Sequence, residues 1–351
     1  MNDLPGYLAA QRWYGGEGPP DAVEIRSVEQ VTGALASLLV DTDAGTYHVL
    51  DGPDDWPAVL ARTLPEAGAG AVRPMGVEQS NTSVVFGDRL VLKVFRRVHP
   101  GTNLEVETTA ALAGAGFESV ARPLGVWEFG GYTKAVVQPY LAGGREGWEL
   151  ALASDRFAGE AAELGRLTAM FHRALATAFG VRPGDPSAWA ASIEAGLSLL
   201  DSADERAAAT VIVERLRSVG EPGPAQRVHG DYHLGQVMRT TPRWYVLDFE
   251  GEPARPPAER GRPSSPMKDV TGMLRSFGYA AAIGEKDAQW EADCRAAFLD
   301  AYSSECPLPD PAVLAAFELD KAVYELAYER SYRPQWADVP RAAIHRLLEV
   351  A

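Results

Sequence analysis

The spacing of apolar residues changes along the chain, from short runs in its first part to a helical period in its second part. Up to about residue 140, apolar runs are broken by Gly, Asp and Pro, which is typical of strands and turns. One helical stretch, residues 103–113, interrupts this pattern. The strands that the pattern predicts are residues 34–40, 47–50, 83–86, 90–95 and 135–138.

From about residue 145, apolar positions recur at spacings of three and four, the period of one helical face. Residues 148–179 and 268–283 carry this pattern, and two more helices are predicted at 288–303 and 311–332. A Pro- and Arg-rich stretch, residues 251–266, predicts a loop. A sheet-rich part followed by a helical part predicts an α+β fold with two lobes and a cleft between them.

Composition and charge narrow the class of protein. The chain has 351 residues, enough for two domains, and its net charge of −15 argues against nucleic-acid binding. The same acidity would favour a cationic small-molecule substrate, or only solubility. No apolar run reaches the roughly 20 residues of a membrane span, and no secretory signal is visible. Because Cys294 and Cys306 are the only cysteines, we expect reduced thiols in a cytoplasmic protein.

The segment HGDYHLGQ, residues 229–236, and the following WYVLDFE carry the groups that a phosphoryl-transfer site needs. Asp231 follows a glycine and is the candidate base for the proton of an attacking hydroxyl. Gln236 and Asp248 offer an amide oxygen and a carboxylate, which are ligands that Mg²⁺ accepts beside the phosphates of ATP. Glu250 is a candidate second carboxylate ligand or a substrate contact.

The two histidines of this segment allow a different interpretation. His229, Asp231 and His233 alternate, so an extended backbone would place all three on one side, as in a metal hydrolase. Such a site needs further histidine ligands, whereas the other histidines are isolated in the sequence. We therefore favour a structural role for His229 and, for His233, either a place in the substrate pocket or support of the turn.

Lys93 lies in the apolar run LVLKVF and is the candidate nucleotide-binding lysine. A cation inside an apolar strand needs a partner, unless it reaches water at a sheet edge. Glu105 and Glu107 on the next helix both qualify as partners, and we choose Glu107. If this region binds a nucleotide, Lys93 would hold the α- and β-phosphates of ATP.

Two further segments of this region are candidate nucleotide contacts. Residues 79–83, QSNTS, end at Ser83 and offer backbone N–H groups and hydroxyls that would cover phosphates. Gln138 and Tyr140 belong to a predicted hinge whose backbone would meet the adenine ring. The alternative for the hinge is a plain linker.

Acidic and aromatic residues recur near the C-terminus at helical spacings. Glu325 and Glu329 are four residues apart and share a helix face, and Trp336 follows. One interpretation is a solvated helix face. The other is a sugar pocket, in which Trp336 stacks on the ring while the carboxylates bind hydroxyls or an amine.

Several motifs resemble those of the actinobacterial maltokinases and glucosamine kinases, an aminoglycoside-phosphotransferase-like group with a eukaryotic-kinase-like fold. The HGD and DFE blocks together carry this resemblance. Asp231 would then be the catalytic base, Gln236 and Asp248 would bind Mg²⁺, and Lys93 would hold ATP with Glu107 as its partner. The other matching segments are RWYGG (12–16), VLKVFRR (91–97), LGRLTAMFHRALATAFG (164–180), SPMKDVTGMLRSF (265–277) and RPQW (333–336).

The resemblance also implies a bilobal, protein-kinase-like architecture. Residues 1–70 would form a cap subdomain and residues 71–142 a β-rich nucleotide-binding subdomain of the N-lobe. Residues 143–351 would form a mostly helical C-lobe with the catalytic and substrate sites.

The resemblance leaves the acceptor open between several sugars. The chain is shorter than typical maltokinases, and Gly278 stands where these enzymes tend to carry an acidic residue, so we favour a smaller acceptor. The expected reaction is phosphorylation of glucosamine to glucosamine 6-phosphate with ATP and Mg²⁺. The alternatives are a maltokinase forming maltose 1-phosphate, an aminoglycoside-type phosphotransferase and a non-catalytic ATP-sensing module. The sequence gives no oligomeric state.

Overall fold

The computed structural model describes residues 3–61, 70–76, 80–252 and 255–349. The chain divides into unit 1, residues 1–110 and 121–143, and unit 2, residues 111–120 and 144–351. Sheet dominates the first unit and helix the second, so the predicted α+β fold is confirmed. None of the described helices is long and apolar enough to cross a membrane. The division of residues 1–142 into two subdomains stays a prediction.

The first eleven elements of the described residues lie within residues 4–139. They are α1 (Leu4–Ala9), β1 (Val23–Thr32), β2 (Leu35–Thr42), β3 (Gly45–Asp51), α2 (Trp56–Ala61), β4 (Val72–Pro74), β5 (Asn81–Phe86), β6 (Leu90–Phe95), α3 (Leu104–Gly114), β7 (Gly125–Phe129) and β8 (Tyr132–Pro139). The third helix, residues 104–114, begins in unit 1 and ends in unit 2.

The described residues of unit 1 form two antiparallel sheets. One has the strand order β1-β2-β3, and the other has the order β4-β5-β6-β8-β7. In β6, Leu90, Leu92 and Val94 are buried, as the alternation of a half-buried strand predicts. Lys93 lies in this strand opposite Ser83 of β5 and Val136 of β8, so the lysine occupies an interior strand of its sheet.

The remaining elements belong to unit 2 and are mostly helices. They are β9 (Arg145–Glu146), α4 (Gly147–Ala153), α5 (Ala158–Phe179), β10 (Val181–Pro183), α6 (Pro186–Gly196), α7 (Ala203–Arg217), β11 (Pro224–Gln226), β12 (Val237–Arg239), β13 (Trp244–Val246), α8 (Pro257–Arg260), α9 (Met267–Ile283), α10 (Ala288–Ser303), α11 (Pro311–Tyr332) and α12 (Asp338–Glu349), with single 3-10 turns at Leu197–Leu199, Leu234–Gln236 and Pro334–Trp336.

The core of unit 2 forms around α5, α9, α10 and α11. The apolar positions that predicted α9, from Val270 to Phe277, are fully buried. Helices α5 and α10 approach closely at Gly165, where a Cβ would lie 2.2 Å from the carbonyl oxygen of Phe298. Only glycine permits this contact, which fixes α5 against α10.

The helix periods predicted the back half of the chain well. Helices α10 and α11 have the predicted bounds, and α9 begins one residue earlier than predicted. The prediction of one helix over residues 148–179 was wrong, because α4 ends at Ala153 and α5 begins at Ala158. Ser154 and Asp155 stand at this break, and short polar side chains compete with helical hydrogen bonds. The predicted loop 251–266 contains the short helix α8.

Candidate active site

A buried carboxylate, Asp269, holds the loop that carries the candidate base. Asp269 lies in the first turn of α9 and is 0% exposed. Its two carboxylate oxygens accept hydrogen bonds from the backbone N–H groups of His229 (2.7 Å) and Gly230 (2.8 Å). The Nε2 atom of His172 in α5 lies 3.1 Å from the same carboxylate. Burial alone would raise the pKa of Asp269, but His172 and the backbone hydrogen bonds have a larger effect in the opposite direction, and the pKa is lowered overall. The carboxylate is therefore ionised.

The backbone conformation of the HGD loop requires a glycine at its second position. Gly230 has a φ of 88°, which side-chain-bearing residues rarely adopt. A Cβ on Gly230 would also lie 3.5 Å from the Cα of Gly251 and 3.6 Å from the backbone nitrogen of Glu252. The glycine therefore lets the loop turn sharply beside the segment that follows Asp248.

His229 has the structural role that we favoured. Its Nε2 donates to the carbonyl oxygen of Leu247 (2.8 Å), and its Nδ1 accepts from the backbone N–H of Asp231 (3.4 Å). Its ring packs against Phe249 with a centroid separation of 4.8 Å. His229 therefore ties the loop of Asp231 to the segment that contains Asp248.

Asp231 forms an ion pair that the sequence analysis did not anticipate. Its Oδ1 accepts from the Nζ of Lys321, in α11, at 3.2 Å. Burial raises the pKa of Asp231, but the charge of Lys321, together with His233 and His229, lowers it overall. Burial alone would lower the pKa of Lys321, but the negative charges of Asp231, Glu325 and Glu252 outweigh it, and the pKa is raised overall. Both groups are therefore charged at neutral pH.

His233 supports the turn between Asp231 and Gln236. Its Nδ1 accepts from the backbone N–H of Gly235 at 3.0 Å. Burial lowers the pKa of His233 to about 4, so the imidazole is neutral at pH 7. The observed role matches the alternative of turn support, and a contact with substrate stays a prediction.

The geometry does not favour the metal-hydrolase alternative. Among the residues that the structure describes, no group of three or more possible metal ligands includes a histidine. Both His229 and His233 instead use Nδ1 to accept backbone N–H groups of their own loop.

The hairpin of β12 and β13 explains why Gln236 and Asp248 meet. Val237 pairs with Val246, so the residues just outside the hairpin approach each other. The backbone N–H of Leu247 donates to the carbonyl oxygen of Gln236 (2.9 Å), and the Nε2 of Gln236 donates to Asp248 Oδ2 (3.2 Å). An amide and a carboxylate side by side fit a hard divalent cation such as Mg²⁺.

The backbone of Asp248 is strained. Its φ is 59°, in the left-handed region that non-glycine residues seldom adopt. Such outliers concentrate at functional sites, where the surrounding structure holds them in place. The buried neighbour Phe249 anchors the segment. Glu250 is half-buried two residues later, and its role stays a prediction.

A pocket in unit 2 lies beside the loop of Asp231. Glu252 is bonded there to Lys268 (2.9 Å), while burial raises the pKa of Asp320 and Glu252 raises it further. The pocket thus combines carboxylates, ammonium groups and aromatic rings around a small space of about 20 Å³, roughly that of one water molecule. The lining residues are Gly230, Tyr232, Glu252, Lys268, Thr271, Gly272, Phe317, Asp320, Lys321 and Tyr324.

The predicted sugar contacts near the C-terminus are bonded to other side chains. Glu325 accepts from the Nε of Arg275 at 2.9 Å. Glu329 is only 2% exposed and accepts from the hydroxyl of Tyr279 (3.1 Å) and from Arg333 (2.8 Å). The interpretation of a solvated face was therefore wrong for Glu329, because its carboxylate is paired inside unit 2.

Trp336 completes this group of predicted sugar contacts. The guanidinium of Arg333 lies over the Trp336 ring, 4.5 Å from its centroid. Within the described residues, Glu325, Glu329 and Trp336 are absent from the lining of the pocket beside Asp231. Their contact with a sugar stays a prediction.

In unit 1, Lys93 has a carboxylate partner, but not the one that we chose. Its Nζ donates to Glu105 Oε2 at 2.7 Å, and Glu105 is buried whereas Glu107 is exposed. Residues two apart in a helix point to nearly opposite sides, so only one of them faces the sheet. The choice of Glu107 is therefore corrected to Glu105.

The other predicted nucleotide contacts also lie in unit 1. Ser83 is buried opposite Lys93, and Gln138 is buried near the end of β8. The backbone N–H of Tyr140 donates to the carbonyl oxygen of Arg89 at 2.8 Å. Residue 79, the first of the QSNTS segment, lies outside the described residues. A contact of Ser83, Gln138 or Tyr140 with a nucleotide stays a prediction.

Comparison with known proteins agrees with the motifs. A model of the phosphotransferase enzyme family matches residues 71–317. The chain is 30% identical to the glucosamine kinase of Mycolicibacterium smegmatis, over 95% of this chain and 89% of that protein. It is 31% identical to the glucosamine kinase of Streptacidiphilus jiangxiensis, over 81% of this chain and 76% of that protein.

Among solved structures, the fold is similar to that of a glucosamine kinase in complex with glucosamine, ADP and inorganic phosphate. The TM-score is 0.76 at 24% identity, and the match covers 98% of this chain and 99% of the other. This likeness confirms the kinase-like fold that the motifs predicted.

Proposed function

The chain belongs to the phosphotransferase enzyme family, and we propose that it is a glucosamine kinase that transfers the terminal phosphate of ATP to glucosamine, forming glucosamine 6-phosphate. The observation that carries this proposal is the ionised Asp231 in its ion pair with Lys321, beside a pocket lined by carboxylates. The two glucosamine kinases at 30% and 31% identity support the choice of acceptor.

In this reaction Asp231 is the general base for the acceptor hydroxyl. The hydroxyl oxygen forms a bond to the terminal phosphorus, the bond from that phosphorus to the bridging oxygen breaks, and ADP leaves with the electron pair. The hydroxyl proton passes to the carboxylate of Asp231. Because the pKa of Asp231 is lowered, the carboxylate is ionised before the reaction and is available to orient the hydroxyl and accept its proton.

The donor groups at Gln236 and Asp248 fit a magnesium ion. The amide oxygen of Gln236 and the carboxylate of Asp248 would hold it, with Glu250 as a further carboxylate. When bound, the ion supplies positive charge to the phosphate oxygens of ATP.

Unit 1 supplies the residues proposed to bind ATP. Lys93 would contact the phosphates, and its ion pair with Glu105 fixes the ammonium group in position. Ser83 stands opposite Lys93 in the sheet and offers a hydroxyl donor to the phosphates. The hinge at Gln138 and Tyr140 would contact adenine through its backbone.

The carboxylates that line the pocket beside Asp231 suit the ammonium group of an amino sugar. Glu252 and Asp320 line it and would accept hydrogen bonds from the ammonium group of glucosamine, which a neutral sugar lacks. The same carboxylates would favour glucosamine over glucose, because removing the cation leaves buried carboxylates without that partner.

A coupled assay of ADP release over glucosamine, maltose, glucose and an aminoglycoside tests the proposal. We expect turnover of glucosamine at low concentration and far weaker turnover of the other three. Turnover of maltose alone, or of the aminoglycoside alone, would replace the proposed acceptor. Turnover of none of them, with ATP still bound, would support a non-catalytic ATP-binding module.

A further inference from the structure

Lys321 can make more hydrogen bonds than the one in its ion pair. Among the residues that the structure describes, its Nζ donates to one acceptor, Asp231 Oδ1, at 3.2 Å. An ammonium group carries three N–H donors. The side chain of Lys321 is 19% exposed, so a group that enters the site can reach it. Donors of Lys321 are therefore available to a substrate.

The carboxylate of Asp231 determines where the reacting hydroxyl lies relative to Lys321. A general base takes its proton from a hydroxyl oxygen about 2.6–3.2 Å away, and Lys321 bonds to the same carboxylate. The phosphorus becomes bonded to that hydroxyl oxygen, so the phosphoryl oxygens are separated from it by a single atom. The flexible stem of a lysine lets its donors follow a moving partner. The ammonium group therefore lies beside the position that the phosphoryl group takes up.

The reaction removes the negative charge that partners Lys321. When the hydroxyl oxygen bonds to the terminal phosphorus, its proton passes to Asp231 and ADP leaves with the electron pair of the broken bond. Asp231 is then a neutral carboxylic acid, and the negative charge lies on the transferred phosphate. An ammonium group that is largely withdrawn from water is unfavourable without a counter-charge, so Lys321 gains by bonding the phosphate instead.

The other carboxylates near Lys321 do not replace Asp231 as its partner. Glu325 and Glu252 each accept a hydrogen bond at 2.9 Å from a cation of α9. Asp320 directly precedes Lys321 in α11, and consecutive side chains of a helix do not face each other. The transferred phosphate is therefore the anion best placed to pair with Lys321 after the proton has moved.

We infer that Lys321 is a second catalytic residue, whose ammonium group bonds the transferred phosphoryl group in addition to orienting Asp231. The inference rests on the proposed function, because that function places the reacting hydroxyl at Asp231. A cation at the phosphoryl oxygens stabilises the charge that they carry in the transition state.

Equilibrium binding of glucosamine and of glucosamine 6-phosphate separates this role from the positioning of Asp231. The comparison uses the full chain with Asp231→Asn, because a lysine that only positions the carboxylate cannot distinguish the two ligands once that carboxylate is gone. Adding Lys321→Met should weaken the binding of glucosamine 6-phosphate at least about tenfold more than that of glucosamine, as for a lost charge-assisted hydrogen bond. Calorimetric titration measures both affinities, and equal losses for the two ligands would overturn the inference.

Lys268→Met is the matched control in the same Asp231→Asn protein. Lys268 is a cation that lines the same pocket, but it is bonded to Glu252 and not to Asp231. Removing it should change the affinities for the two ligands by factors that agree within about threefold, because a charge without direct contact acts weakly through solvent. A selective loss of glucosamine 6-phosphate as large as that in Lys321→Met would show a general effect of charge and contradict the contact.

Lys321→Gln covers the case in which methionine at this position prevents folding. Glutamine is uncharged but keeps a hydrogen-bond donor, so we expect a selective loss of glucosamine 6-phosphate of about fivefold. Turnover by the wild-type chain keeps this inference distinct from the proposed function. No turnover of glucosamine would overturn the acceptor and the inference together, whereas normal turnover with unselective Lys321 variants would overturn only the role of Lys321.

Discussion

Two lysines, one in each unit, are both largely withdrawn from water, yet their pKa values shift in opposite directions. Lys134 of β8 is 0% exposed and donates to Ser37 (2.6 Å) and Glu29 (3.1 Å). Burial lowers its pKa, and Glu29 offsets only part of this effect. Burial also lowers the pKa of Lys321, but three carboxylates reverse the shift. The number of neighbouring carboxylates, rather than burial, therefore decides the sign.

The two lysines also differ in whether a substrate can reach their surroundings. Ser37 and His48, which lie beside Lys134, are both 0% exposed, and their side chains are 3.0 Å apart. A hydroxyl beside an imidazole resembles an activated nucleophile, but a substrate has no route to these atoms. Lys321 is 19% exposed and lines a pocket. The cluster in unit 1 has no opening through which a substrate could reach it, so it stabilises the fold.

Removing the carboxylate of Asp231 should have the largest effect in this comparison. We expect Asp231→Asn to lower kcat about 10²- to 10⁴-fold, because the attacking hydroxyl loses its proton acceptor. Steady-state kinetics with glucosamine and ATP would measure this change. Asp300→Asn, at an exposed position, is the control and should keep kcat within about twofold. Retention of more than a tenth of the activity in Asp231→Asn would remove the assignment of the base.

The buried carboxylate of Asp269 should contribute strongly to stability. Asp269→Asn should lower the free energy of unfolding at pH 7 by about 2–5 kcal/mol, because its carboxylate accepts several buried hydrogen bonds. The lowered pKa of Asp269 means that its contribution is present above the pKa of an unfolded aspartate and is lost as pH falls through the folded value.

Urea unfolding of both proteins across acidic and neutral pH would measure the role of Asp269. The stability difference between wild type and Asp269→Asn should shrink as the pH falls below the ordinary carboxylate range. A difference that stays constant with pH would contradict an ionised Asp269 in the folded state.

Replacing each lysine by methionine compares the two regions directly. Lys321→Met should lower kcat/KM at neutral pH by about tenfold, or about 1.4 kcal/mol, because the orientation of Asp231 is lost. It should also raise the pKa of Asp231, since the largest favourable charge disappears, and move the acid limb of the kcat/KM profile to higher pH. Lys134→Met should leave this profile in place and lower stability by about 1–3 kcal/mol. An unmoved acid limb in Lys321→Met would contradict the coupling to Asp231.

Local sequence patterns predicted the parts of the site that are close along the chain. Asp231, Gln236 and Asp248 were proposed from their residue types and spacing, and the hairpin of β12 and β13 brings Gln236 and Asp248 together. Asp269 and Lys321 were missed, although both bond to the HGD segment. Each stands alone in the apolar pattern of a helix, and helical period predicts which face is buried but not which distant loop contacts it. A lone charge on a buried helix face was the available signal.

The same limit explains the choice between Glu105 and Glu107. Both lie in the first turn of α3, where acidic residues are favourable whatever they face. Only the orientation of the helix against β6 decides which carboxylate meets Lys93, and the sequence does not encode that orientation locally. The fold class was easier, because it depends on the summed pattern of many residues.

The smallest effect expected is a pair of substitutions at this helix. Glu105→Gln should raise KM for ATP about fivefold, because Lys93 loses the charged partner that fixes its ammonium group. Glu107→Gln, which changes an exposed side chain on the other side of α3, should leave KM for ATP within about twofold. Initial rates over a range of ATP concentrations at saturating glucosamine would separate the two variants. A larger change in Glu107→Gln would restore our first choice of partner and would make Glu105, like Lys134, a stabilising residue of unit 1.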